Sequence, residues 1–408
     1  MKTKLLFVIV AASCRLFTAV TPTFAQNWTQ TSAPTNHWTS VASSADGSTL
    51  VAAIGGPAGW YGPIVTSTNS GRAWTPADTA SSTYLASVAS SADGTKLWAA
   101  TYDLIHKSGA VFSSTNSGAT WRTSGSAIAV GIASSADGTK LVAVGQVGGG
   151  VGGSIATSTN SGASWTSRNA PIAYWNCVAS SADGTTLVAA VSEVDAPAPD
   201  SGGPIYTSTD SGATWVLSNA PILVWRSVTS SADGTKWWAA SEDGPIYASV
   251  DSGVTWTASS APSNIWYSVA SSADGTKLVA AGDGGVFTST DLGATWISNN
   301  VPALQWRAVA SSADGAKLVA AAGGFSDGLI FTLQATAAPR LNITLSGLNL
   351  LIAWTIPSQS FTLQQNSALT TTNWTDVTNT TALNLTNLQN QVMMAWSSSV
   401  GRFYRLKH

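Results

Sequence analysis

Short apolar runs alternate with polar turns throughout this chain, and the stretch from Trp225 to Trp256 shows the unit most clearly. Its pattern predicts a strand over 226–229, a turn at Ala232-Asp233-Gly234, a strand over 236–240 and a polar loop. A third strand over 245–249, a second turn and a last strand from Thr255 complete it. The first turn is a hairpin signal, because Asp accepts backbone N–H bonds and Gly takes positive φ without a Cβ penalty.

The unit repeats. Ser-Ala-Asp-Gly recurs with its aspartate at Asp46, Asp93, Asp137, Asp183, Asp233, Asp274 and Asp314, at spacings of 47, 44, 46, 50, 41 and 40 residues. Four short strands at such a period build one blade of a circular array. The expected fold is all-β: a seven-bladed β-propeller over 26–336, followed by a smaller unit over 337–408. The second turn reads Ser-Thr-Asn-Ser-Gly-Arg-Ala-Trp at Ser67 to Trp74 and recurs ending at Trp121, Trp165, Trp215, Trp256 and Trp296. Blade seven lacks it, since Phe331-Thr332-Leu333 runs directly into Ala335. Yet Asn27-Trp28-Thr29 followed by Ala33-Pro34 and Trp38 copies the end of a blade, Thr214-Trp215 followed by Ala220-Pro221 and Trp225. The N-terminal segment is therefore expected to supply the outer strand of blade seven and leave no open edge at the seam.

This second turn resembles the Asp-box, or bacterial neuraminidase repeat, of sialidases, sortilin-type receptors, xyloglucan hydrolases and the photosystem II assembly-factor family. The resemblance implies a propeller; those families share the turn and little chemistry, so it implies no activity. The box position is Asn at Asn69, Asn116 and Asn160 and Asp at Asp210, Asp251 and Asp291. An amide replaces a carboxylate only where the role is to accept hydrogen bonds, so these residues cap their own turns and the tryptophans pack between blades. The sialidase branch implies three arginines on the substrate carboxylate, a tyrosine nucleophile with a glutamate beside it, and an aspartate acid. Of Arg72, Arg122, Arg168, Arg226 and Arg307, only Arg226 and Arg307 begin innermost strands, and sialidase activity is not expected.

Consecutive hairpins in a blade alternate between faces, so both repeated turns share one constant face. The loops joining strands two and three, and one blade to the next, lie opposite. That variable face is expected to hold nine acids, Asp78, Asp103, Glu193, Asp195, Asp200, Glu242, Asp243, Asp283 and Asp327, with His37, His106, Trp60, Tyr61 and Tyr102. Loops irregular in length and content are where ligand sites are grafted. The ligand-binding candidates are Trp60, Tyr61, Tyr102, Asp103, Arg226, Tyr267 and Arg307, with the loops from Gly55 to Pro63 and Ser192 to Pro204 rising around them. Tryptophan opens the innermost strand at Trp38, Trp175, Trp225, Trp266 and Trp306 but gives way to Leu85 and Ala129, which predicts a looser sector or a recess beside the channel.

Composition narrows the function. Lys2 and Lys4 before an apolar run, and Thr23-Phe24-Ala25 before Gln26, make 1–25 a secretory signal peptide, with lipidation at Cys14 as a second reading. A secreted or cell-surface protein of bacterial type is expected. No run long enough to span a membrane follows. After cleavage only Cys177 remains, so no internal disulfide forms, and it is read as a small buried hydrophobe. Charged residues make up 9% and the formal net charge is -2, which leaves no footprint for nucleic acid. His37 and His106 fall in different blades, and Asp195 with Asp200 lacks calcium-loop spacing, so no metal is expected. The glycine runs at Gly148-Gly149-Gly150 and Gly152-Gly153 lack a phosphate-loop continuation, and no cofactor is expected either.

After Ala337-Ala338-Pro339 the repeat stops. Alternating runs over 342–345, 350–354, 361–364, 382–385, 392–396 and 403–406 predict a β-sandwich resembling fibronectin-type accessory modules. The functional expectation is a monomeric, non-enzymatic binding or scaffold protein with a glycan or protein ligand. The alternative is a glycoside hydrolase using a carboxylate pair on the same face.

Overall fold

The computed structural model describes residues 28–56, 60–77, 84–102, 109–125, 129–145, 152–193, 202–323 and 328–334, and in the C-terminal part 342–346, 349–355, 362–366, 375–379, 382–384, 389–395 and 403–407. The signal-peptide segment, Cys14, Asp78, Asp103, His106, Asp195, Asp200 and Asp327 lie outside the described residues.

Among the described residues, seven antiparallel sheets of four strands succeed one another from Trp38 to Gln334, the first with a short extra strand, Trp60–Tyr61. Each runs from an inner to an outer strand; blade five, for example, comprises Trp225–Ser230, Trp237–Ser241, Tyr247–Ser249 and Thr257–Ala258. Blade seven takes its outer strand from the N-terminus: Thr29 pairs with Thr332 and Gln30 with Phe331, while Trp28 packs against the cluster containing Phe331 and Leu333. This is the expected closure.

The inner strands contact their neighbours around the whole circle, Trp306–Ser311 meeting Trp38–Ser43. At one end the circle is sealed by backbone. Ala45 N–H donates to Ala92 O, Ala92 to Ala136, Ala136 to Ala182, Ala182 to Ala232, Ala232 to Ala273, Ala273 to Ala313, and Ala313 back to Ala45, all at 2.7–2.8 Å. The repeated alanine of Ser-Ala-Asp-Gly thus turns seven hairpins into one hydrogen-bonded ring, and these alanines cluster together.

Between the blades lie seven apolar clusters, one per interface; that between blades four and five joins Val188, Ala190 and Ile205 to Trp225, Val228 and Trp237. Leu85 and Ala129, where the inner tryptophan is missing, are also buried, Ala129 in the cluster between blades two and three. Neither is among the described residues that line the channel.

Both repeated turns are held by their own polar residues. Asp93 Oδ1 accepts from Ser91 Oγ at 2.6 Å and from Thr95 N–H at 3.0 Å. In the second turn Asp210 Oδ1 accepts from Ser208 Oγ at 2.8 Å and Thr214 N–H at 2.9 Å, while Thr214 Oγ1 donates to Oδ2 at 2.7 Å. Asn116 makes the same two Oδ1 contacts, both at 2.9 Å, but its Nδ2 donates to the Thr120 hydroxyl. The hydroxyl turns around to suit amide or carboxylate, which is why both occur. The residue following each is left-handed, from Ser117 at φ 56 to Leu292 at φ 64. Ser211 N–H donates to Thr185 O, as its equivalents do in the other five copies, so both turns share one face as expected.

The Thr214 hydroxyl and amide hold the Asp210 carboxyl at about 2, and those of Thr255 do the same for Asp251. A carboxylate normally titrates near pH 4. The folded value is depressed, so the stabilisation is complete above about pH 4 and disappears as pH falls towards 2. Asp210→Asn should therefore keep neutral-pH stability and flatten acid unfolding between those limits. Asp210→Ala should cost about 1 kcal/mol at any pH above 4, the low end for a hydrogen-bonded group because the site is exposed. Urea titrations at pH 7 and pH 3 check this; an alanine variant as stable as the parent at pH 7 would contradict the capping role.

The C-terminal part forms two sheets. Asn342–Ser346, Asn349–Thr355, Gln389–Ala395 and Ala382–Asn384 make one, in that order, and Thr375–Asp376, Thr362–Asn366 and Phe403–Lys407 the other. Ile352, Trp354, Val392 and Met394 from the first meet Leu363 and Tyr404 from the second in one core, so this is the expected β-sandwich.

Candidate functional site

The site begins with a spacing of three. In an ideal strand, residues on one face are two apart. Yet Trp225 and Val228 lie in the same blade interface, as do Trp38 and Val41, Trp175 and Val178, Trp266 and Val269, and Trp306 and Val309. An extra residue must sit between them, and a bulge is observed: Trp225 pairs with Ser241 and Ser227 with Ala240, leaving Arg226 without a partner. Thr39, Ala86, Tyr267 and Arg307 are skipped in the same way, and the ladder is irregular across Asn176 as well. A bulge re-aims the side chain of its extra residue.

Here the new direction is the channel. Thr39, Ala86, Val130, Asn176, Arg226, Tyr267 and Arg307, one from each blade in order, all line an axial cavity of about 850 Å³, joined by Tyr84, Tyr102 and Cys177. Towards the alanine ring the channel continues as a smaller cavity of about 170 Å³ lined by serines and alanines, with Ser43, Ser90, Ser271 and Ser311 shared by both. The wider part of the channel therefore lies away from the alanine ring, towards the variable face. The loops there are tied to the strands below: Glu242 N–H donates to Val224 O, Asp283 N–H to Ile265 O, and Tyr102 N–H to Tyr84 O.

Charge is distributed unevenly around this wall. Arg226 is ion-paired with Glu242 from the loop of its own blade. Arg307 instead lies over the Tyr267 ring, its guanidinium carbon 3.9 Å from the centroid, and its buried Nε has no hydrogen-bond partner. Burial raises the Tyr267 hydroxyl above its usual range against the opposing pull of Arg307, and burial likewise raises Tyr84 and Tyr102. The Cys177 thiol touches the channel yet lies deep in its wall, and burial pushes it up to about 12, with Arg226 acting weakly the other way. At neutral pH it is a thiol, and no nucleophile.

No family model and no curated protein matches this sequence. Solved structures do. A structure titled YCF48 bound to D1 peptide superposes with a TM-score of 0.56 at 16% identity, covering 77% of this chain and 98% of its own. The GH74 xyloglucanase from Xanthomonas campestris gives 0.55 at 14% identity over 81% of this chain and 59% of its own. U3-55K gives 0.58 at 11%, covering 76% and 98%. At these identities the likeness shows a shared β-propeller fold and leaves activity open.

Of the predicted site residues, Tyr102, Arg226, Tyr267 and Arg307 come together on the channel wall. The backbone of Trp60 and Tyr61 pairs with Gly56 and Gly55, extending blade one's second strand into a short hairpin. Asp103 lies outside the described residues. Sequence reading missed Tyr84, Asn176 and the channel position of Cys177, which packs as a small hydrophobe against the cluster between blades four and five while also touching the channel. The signal was present in the three-residue Trp-to-Val spacing, which marks the bulge in every blade that has the pair.

Proposed function

We propose that this chain is an exported, non-catalytic binding protein whose propeller, over 26–336, takes a glycan or protein ligand into the channel mouth. In this reading the second turn is a genuine Asp-box kept for folding, 1–25 directs export, and the module over 337–408 serves attachment or spacing. One observation carries the proposal: the described wall of the channel offers arginine, tyrosine, asparagine and small apolar groups, but no carboxylate. Such a wall can hold and orient, with flat aromatic faces and planar donors.

The similar structure carrying a D1 peptide supports a protein ligand, and the xyloglucanase supports a sugar. Glycoside hydrolysis needs two carboxyls facing the substrate. Of the described acids above the channel, Glu242 is engaged by Arg226 and Asp283 by Tyr267. Glycan and peptide arrays probed with the parent and with Ala86→Trp, which narrows the channel, test the reading. Hits should weaken in Ala86→Trp and persist in the outer-strand control Arg122→Ala. Hits unchanged by narrowing the channel would move the site elsewhere.

A further inference from the structure

We propose that the channel mouth binds a single carboxylate carried on an apolar group, from either a small organic acid or the free carboxyl terminus of a peptide with an apolar last residue. This rests on the channel being the ligand site. The bulge ring divides into halves. Blades five, six and seven contribute Arg226, Tyr267 and Arg307, and across the ring blades two and three contribute Ala86 and Val130.

Within the polar half the two arginines differ. Glu242 already answers the charge of Arg226. Arg307 has no ion pair among the described residues; its Nη2 reaches Gln305 Oε1 only at 3.5 Å, and it lies over Tyr267, whose hydroxyl it shares with Asp283. A guanidinium held flat over an aromatic ring presents a fixed fork. The species that completes it is planar, accepts two parallel hydrogen bonds and brings one negative charge. That is a carboxylate. The group attached to it then lies against Ala86, Val130 and the rings of Tyr84 and Tyr102, which offer apolar contact and no charge.

Calorimetric titration of the full chain with N-acetylphenylalanine and with its amide decides the matter. The acid should bind, and the uncharged amide should bind at least about tenfold more weakly, the scale of one charge-assisted bidentate contact. Arg307→Gln should remove that difference, while Arg122→Gln, on the exposed outer strand of blade two, changes acid affinity by less than about threefold. Melting curves of both variants confirm that they fold. A peptide ending in phenylalanine, with free or amidated terminus, separates the sources: tighter binding of the free-terminus peptide than of the small acid assigns the site to chain ends, and equal binding assigns it to small acids. Acid and amide binding alike, both weakened in Ala86→Trp, would overturn the carboxylate and leave the channel as the site. Acid binding unchanged in Ala86→Trp would overturn both, and no binding of any probe overturns the proposal.

Discussion

A chain beginning at Ala33 should lose its monomeric, protease-resistant state, whereas one beginning at Gln26 keeps it. The shortened chain lacks Thr29–Gln30, so Ile330–Gln334 becomes an open edge with unpaired N–H and C=O groups. It also lacks Trp28, which packs against the apolar cluster in the interface between blades six and seven. Removing a packed tryptophan costs about 3 kcal/mol or more, and an exposed edge templates pairing with other chains. Size-exclusion chromatography and limited proteolysis read the outcome. A shortened chain that stays monomeric with an unchanged melting profile would mean that the ring does not depend on this strand.

Trp225→Ala should lower stability by about 3–5 kcal/mol, among the largest effects of any single substitution here. Trp225 is 0% exposed, meets Tyr247 edge-on at 5.6 Å, and donates from Nε1 to Gly203 O at 2.9 Å. Truncation opens a cavity between blades four and five and leaves that carbonyl only the long 3.4 Å bond from Leu223 N–H. Trp225→Phe keeps most of the apolar contact and should lose about 1 kcal/mol, chiefly the hydrogen bond. Urea unfolding followed by tryptophan fluorescence distinguishes the two; equal losses would show that the indole N–H, and not its volume, matters. Because Trp225 precedes Arg226, the alanine variant should also loosen the bulge, whereas blade three, where Ala129 already stands in the tryptophan's place, offers no such lever.

The architecture was legible because each blade is written in local chemistry. Ser-Ala-Asp-Gly fixes a hairpin through contacts within five residues, such as Ser91 Oγ to Asp93 and Lys96 N–H to Ser91 Oγ. Repetition then supplies the count, and the displaced Trp28-Thr29 supplies the closure. The same logic explains the mixed Asn and Asp in the second turn, whose partners all lie within four residues. Arg226, Tyr267 and Arg307 were also found, since each follows a recurring tryptophan.

Contacts between blades were not legible, because no local pattern encodes them. Ala45 closes its ring on Ala313 only when all seven hairpins stand on one circle, and a sequence shows seven alanines without showing that they bond. The backbone of Trp60 and Tyr61 pairs with Gly56 and Gly55 across an irregular loop, a pairing the repeat does not announce. Cys177 occupies the place of a serine in the repeat, and only the bulge before it and the closed ring bring it to the channel wall. Arg226 and Arg307 are equivalent in sequence; Glu242, carried on an irregular loop, makes them different in charge. Local hydrogen bonding thus let the sequence determine the blade, its number and its seam. Which side chains share the axis, and which loop acid meets Arg226, was decided by ring closure and by the loops above it, where distant parts of the chain first meet.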